Sequence, residues 1–250
     1  LRQMPPGSQI ILTEDDYKSI TAYIMTFNGV AYSESAALGG LDFESELKLP
    51  AFSGVVRVAE QSVAEGAAEI LSRFTTVSDA MLLNPPAEDW LIWQGSYDNH
   101  GFSALDQINR ENVGGLELSW RMPLQTGVNN PGPLVHDGVM YLFTFPDTVL
   151  AIDASNGSLL WRYEHHSEVQ PSQKKGVALH GDLVYVPTSD LHVLALNART
   201  GKLVWDHKIE TDDKYEGYHL RMSPFVVGET VIQGITSLRI PEGAWIDGID

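Results

Sequence analysis

A chain of 250 residues is long enough for one or two domains, and a hydrophobic content of 43% is enough to build a core. Thirty-three acidic against 16 basic residues give a formal net charge of −17, which disfavours nucleic acid and anionic membranes as partners and suits a basic, cationic or neutral one. The absence of cysteine removes disulfides, thiol catalysis and Cys-ligated zinc from this stretch, and no run reaches the roughly 18 apolar residues of a membrane span.

Residues 13–27 predict a helix. Thr13 with Asp16 three residues on is a capping-box variant, Tyr17, Ile20, Ile24 and Phe27 follow at helical spacing, and Asn28-Gly29 is a stop signal. Residues 30–56 carry no clear period. The Ala- and Glu-rich run 59–74 predicts a second helix, and the two prolines of "LNPPAEDW" (83–90) break it.

After Trp90 short β-branched and aromatic runs alternate with Gly, Asn and Asp turns, and a repeat emerges. Tyr141 and Tyr185, Ala151 and Ala195, Gly157 and Gly201, and Trp161 and Trp205 are each 44 residues apart. Both copies contain A-x-[DN]-x-x-x-G-x-x-x-W, and a third copy begins at Gly228. A period of this length with about four short strands per copy is the signature of a β-propeller blade. The Ala allows close packing, the Asp or Asn and the Gly make a hairpin turn, and the Trp is a structural residue that buries its ring against the next blade. The opening at Leu1, and a third copy that stops at Asp250 before its Gly and Trp, give the expectation of a segment cut from a longer chain. About three blades cannot close a ring, so the segment alone is expected to be inactive, and marginal or prone to aggregation.

The repeat resembles that of the pyrroloquinoline-quinone (PQQ) dehydrogenases. "SDLHVLALNARTGKLVW" is close to that family's tryptophan-docking repeat, and residues 80–122 resemble the aromatic-rich run that leads into its first blade. The resemblance implies a mainly β fold: a partial eight-bladed quinoprotein-type propeller over 89–250, preceded by a helical linker (51–88). "MPPG" followed by the 13–27 helix is similar to the end of a fused c-type cytochrome, which assigns residues 1–50 to the C-terminal part of such a domain and makes Met4 the axial ligand of a haem iron.

The same resemblance implies a periplasmic quinohaemoprotein dehydrogenase that oxidises an alcohol with PQQ and passes electrons through haem c to a downstream acceptor. Residues just before the inner strands would meet the cofactor: Asn130 where the family has a Glu, Lys175 where it has an Arg, and Arg221 near a family Thr. Calcium is expected as a Lewis acid. In one alignment Arg239 falls on the family's calcium-binding Glu; in another, "SLRIPEGAWIDGID" leaves Glu242 as the candidate ligand. The catalytic base is expected beyond residue 250. Asp190 and His192 sit in a repeat turn and are expected to be structural or solvated, and the adjacent His165 and His166, facing opposite ways on a strand, do not make a metal site. Two other readings compete: a non-catalytic propeller scaffold of the outer-membrane assembly factor type, which the altered site positions favour, and a generic WD-type interaction propeller, against which the Trp position argues.

Overall fold

The computed structural model describes residues 57–58, 62–130, 132–211, 217–237 and 243–250, all within one unit spanning 54–250. Met4, the 13–27 helix, the cytochrome-like residues 1–50, Arg239 and Glu242 lie outside the described residues.

Among the described residues three antiparallel sheets follow one another along the chain. They are preceded by a short parallel pair, β1 (Arg57–Val58) and β2 (Trp120–Arg121). Blade one is β3 (Leu134–His136), β4 (Val139–Thr144), β5 (Thr148–Asp153) and β6 (Leu159–Glu164), paired in that order. Blade two repeats the order with β7 (Ala178–His180), β8 (Leu183–Pro187), β9 (His192–Asn197) and β10 (Leu203–Lys208). In blade three, β11 (Tyr218–His219) and β12 (Phe225–Val227) share one edge of β13 (Thr230–Ser237), and β14 (Trp245–Ile249) takes the other. This is the up-and-down blade order that the repeat predicts.

The 44-residue shift is visible in the register. Tyr141 pairs with Ala151 and Ala151 with Trp161, as Tyr185 pairs with Ala195 and Ala195 with Trp205. The Tyr and Trp rings of each blade meet at 5.9 and 5.8 Å and at nearly the same tilt. The inner hairpins close on two residues, Asp137-Gly138 in blade one, both at positive φ, which is the chemistry a tight hairpin needs. The outer turns explain the [DN]-x-x-x-G spacing. Asn197 Oδ1 accepts the backbone N–H groups of Arg199 and Thr200, and Gly201 N–H returns to the Asn197 carbonyl at 2.8 Å. Asp153 and Gly157 make the same closure.

Blade one is joined to blade two by its tryptophan. Trp161 is buried, its indole N–H donates to the Ala198 carbonyl of blade two at 2.8 Å, and its ring lies on Gly201, where a Cβ would approach to 2.7 Å. Trp120, which the repeat spacing does not single out, does the same one step earlier: from β2 it donates to the Ala154 carbonyl at 3.1 Å. Ala154 and Ala198 are themselves 44 residues apart.

Residues 62–91 run across the blade ends that carry the inner hairpins. The predicted 59–74 helix is shorter than its pattern: α1 covers Ala67–Ser72, and a second helix, α2 (Asp79–Leu83), starts at a Ser78 cap that accepts from Met81 N–H. Pro85 and Pro86 therefore follow the end of α2 rather than breaking the first helix. The chain leaves α1 early because Phe74 enters the core edge-on to His136 and Tyr141, and Val77 bridges to Gly181. Tertiary pairing outweighs helix propensity here.

Candidate functional site

The loops that enter the inner strands meet at the opposite blade ends, and backbone hydrogen bonds join them. Gly132 N–H donates to the Lys175 carbonyl at 3.2 Å, and Lys175 N–H donates to the Arg221 carbonyl at 2.9 Å. One residue from each blade is thus held in a row. A Cβ at Gly132 would lie 2.0 Å from the Trp93 ring and 2.9 Å from the Lys175 carbonyl, so only glycine admits this approach.

A cleft of about 270 Å³ runs along the inner strands of all three blades. Trp93, Tyr97 and Phe225 give it aromatic walls, and Lys175, Ser223 and Asn99 bring polar groups to it. Tyr97 packs edge-on to Phe225 at 5.1 Å and its hydroxyl donates to the Val226 carbonyl at 3.4 Å. Of the cofactor contacts expected from the sequence, Lys175 lines this cleft, half-buried. Asn130 is half-buried two residues before Gly132 and is not among the cleft's lining residues. Arg221 is likewise not part of the lining; its charge bears on Lys174 and His219.

Lys174, which the sequence reading does not single out, carries the most perturbed charge of this region. Its ammonium is sealed from solvent, donates to Ser189 Oγ at 3.2 Å and to Ser172 Oγ, and lies 4.0 Å from Asp147. Asp147 in turn accepts from Ser189 N–H at 2.7 Å and from Ser189 Oγ at 2.8 Å. Burial pushes the Lys174 ammonium down to about 8; Asp147 and Asp190 oppose that shift and Arg221 adds to it. His219 is also held below its ordinary value, by burial first and then by the charges of Arg221 and Lys174. Burial raises Asp190, but hydrogen bonds from Thr188 and His165 and the His165 charge outweigh it, so the carboxyl titrates below its usual range. The clue available in the sequence is the Lys-Lys pair itself: neighbours in extended chain face opposite ways, so if one meets the cleft the other turns inward.

Lys174 also makes stability depend on pH. Below about pH 8 it is protonated in both folded and unfolded protein, and the cost of burying the charge is constant. Above that the native state releases the proton while the unfolded chain keeps it up to its ordinary value, so stability rises with pH. The unfolding free energy in urea of the wild type minus that of Lys174→Met is expected to grow by about 1–2 kcal/mol between about pH 7 and about pH 9.5. A flat difference would contradict the assignment.

Two other clusters are structural. Thr75 Oγ1, His136 and Asp89 line up as in an acyl-transfer triad, with His136 Nδ1 2.7 Å from Asp89 and Nε2 3.2 Å from Thr75 Oγ1. However, the His136 ring is fully buried and its Nε2 also meets the Thr75 carbonyl at 2.9 Å, so it pins two segments together and no substrate reaches it. His165 is held by Asp190 at 2.9 Å, His192 by Asp206 at 2.6 Å, and the two rings sit 5.8 Å apart. Among the described residues no three His, Asp or Glu side chains are grouped to hold a metal.

The donor set fits a planar, acidic ligand. Trp93, Tyr97 and Phe225 offer ring faces and edges, and Lys175 offers a cation. The PQQ_2 family profile, described as outer membrane protein assembly factor BamB, matches residues 115–239, half of the chain. The alcohol dehydrogenase (quinone), dehydrogenase subunit, of Gluconacetobacter polyoxogenes is 46% identical over 77 residues, 30% of this chain and 10% of its own length. Quinohemoprotein alcohol dehydrogenase ADHIIG from Pseudomonas putida HK5 superposes with a TM-score of 0.60 at 31% identity, over 66% of this chain and 25% of that one. The chain belongs to the PQQ-repeat propeller family, alongside the quinohaemoprotein alcohol dehydrogenases. A further quinohemoprotein alcohol dehydrogenase, from Comamonas testosteroni, superposes with a TM-score of 0.57 at 32% identity, over 68% of this chain and 26% of that one. The chain thus spans a tenth to about a quarter of these family members. Their shared fold is the mainly β quinoprotein propeller, and the three blades described above are part of it.

Proposed function

We propose that this chain contributes the first blades and part of the cofactor site of a PQQ-dependent alcohol dehydrogenase. The observation that carries the reading is Lys175, held by backbone hydrogen bonds to both neighbouring blades and lining an aromatic-walled cleft. PQQ, when bound, supplies the two-electron acceptor for alcohol oxidation. The residues of this chain bind and orient it. Lys175 would neutralise one of its carboxylates and Trp93 would present a ring face, while Gly132 lets the Lys175 backbone come close. Lys in place of a family Arg keeps the charge but gives up the planar two-pronged geometry.

The finer reading places the reaction in the periplasm, with electrons leaving through haem c. Met4 would give the iron a thioether ligand, which suits a low-spin haem and raises its potential. Glu242 is the candidate for the calcium ion, with Asn130 near the cofactor. Replacing Met4 with Ala is expected to abolish a Met-ligated haem spectrum and leave quinone binding intact.

The test of the main reading is equilibrium binding of PQQ, followed by fluorescence quenching, on the protein carrying the complete propeller, as wild type and as Lys175→Met. The variant is expected to bind about 10- to 100-fold more weakly, the loss of one charge-assisted contact, with an unchanged melting temperature. Wild-type protein that retains no quinone would overturn the reading. The BamB description attached to the family profile would then favour the non-catalytic scaffold.

A further inference from the structure

Lys174 plays no part in the proposed contacts with the quinone, yet it is the buried charge nearest to them in sequence. Its side chain reaches three segments that are far apart in the chain: the β4–β5 turn through Asp147, the β8–β9 turn through Ser189, and its own approach loop through Ser172. The three are also bonded to one another. Ser189 donates to Asp147 through both N–H and Oγ, and Ser172 N–H donates to Ser189 Oγ at 2.8 Å. The next residue, Lys175, has both backbone groups committed to the adjacent blades. A charge this well enclosed is costly to bury, and it is tolerated because two serine hydroxyls accept from it and the Asp147 carboxylate lies 4.0 Å away.

We propose that Lys174 is a positioning residue: its buried ammonium ties the turns of blades one and two together and so fixes the backbone from which Lys175 enters the cleft. The inference rests on the reading of Lys175 as a cofactor contact, but its mechanical half concerns this chain alone. Among the described residues, four charged or titratable groups face Lys174: Asp147 from blade one, Asp190 from blade two, and Arg221 and His219 from the approach to blade three. The arrangement makes the effect of Lys174 on the ligand indirect and dependent on Lys175.

The experiment has two readouts. The first needs no ligand: amide hydrogen exchange at Lys175 and Gly132 in the wild type, Lys174→Met and Lys174→Arg. Exchange is expected to accelerate at least about 10-fold in the Met variant and to be largely restored by Arg, which keeps the charge. Unchanged exchange in Lys174→Met overturns the proposal. The second is a double-mutant cycle on PQQ affinity with Lys174→Met and Lys175→Met. Lys174→Met is expected to weaken binding about 10-fold alone and to have no further effect when Lys175 is already Met. The same fold-loss in both backgrounds means that Lys174 does not act through Lys175 and overturns the proposal. If Lys174→Met does not fold, Asp147→Asn breaks the same network from its other end and is read in the same way. Wild-type protein that takes up no quinone overturns the function proposed above, while the exchange measurement still decides the positioning role.

Discussion

Trp161→Ala is expected to destabilise the protein by about 3–5 kcal/mol, the cost of removing a fully packed large aromatic. Three terms contribute. The residue is 5% exposed, its N–H bond to the Ala198 carbonyl is lost, and the surface of Gly201 on which it rests is left uncovered. Trp161→Phe keeps most of the burial and loses the donor, for about 1–2 kcal/mol. Trp205 occupies the same register position in blade two but is only half-buried among the described residues, and Trp205→Ala is expected to cost less than half as much. Chemical denaturation of the three variants checks the ranking. Equal losses at 161 and 205 would contradict the view that the cost comes from docking on the following blade rather than from the strand itself.

The second large effect is expected at His136. Its Nδ1 lies 2.7 Å from Asp89 and both side chains are almost completely buried. Asp89 also accepts the Asp137 N–H at 3.1 Å, so it holds the first inner hairpin as well. His136→Leu leaves a buried carboxylate facing an apolar group, a loss of about 3–5 kcal/mol. The double variant His136→Leu with Asp89→Leu removes both polar partners and is expected to recover a large part of that loss, because the uncompensated charge is gone. Urea unfolding of both variants at neutral pH tests this. A double variant no more stable than His136→Leu alone would mean that the pair stabilises the fold outright instead of merely compensating its own burial.

The blades are legible in the sequence because their determinants are local and repeated. Alternating apolar strands, an Asp or Asn four residues before Gly, and a Trp four residues after it specify a hairpin and an outer strand within one copy. The 44-residue shift then multiplies that signal. What joins the blades to the rest is not legible in this way. Thr75 meets His136 across 61 residues, and Asp89 meets it across 47, with no pattern to announce either pair. The 59–74 run is a good helix former by composition, yet the helix ends at Ser72 because Phe74 and Val77 are used by blades one and two. At the candidate site the family resemblance points to Lys175 by alignment and passes over its neighbour Lys174, since alignment reports which position is equivalent and not which way a side chain turns. Trp120 escapes the pattern for a related reason: it lies 41 residues before Trp161, outside the repeat spacing, and only the equivalent acceptor one blade on reveals the correspondence.

The acceptors chosen by Trp120 and Trp161 are main-chain oxygens. A carbonyl is present whatever the residue at 154 or 198, so point substitution there cannot delete the partner, and the junction between blades is insulated from sequence drift on its receiving side. A duplicated blade carries both halves of the junction with it, a donor for its successor and a carbonyl for its predecessor. Arrays of this kind can lengthen by copying a single unit without inventing a new interface.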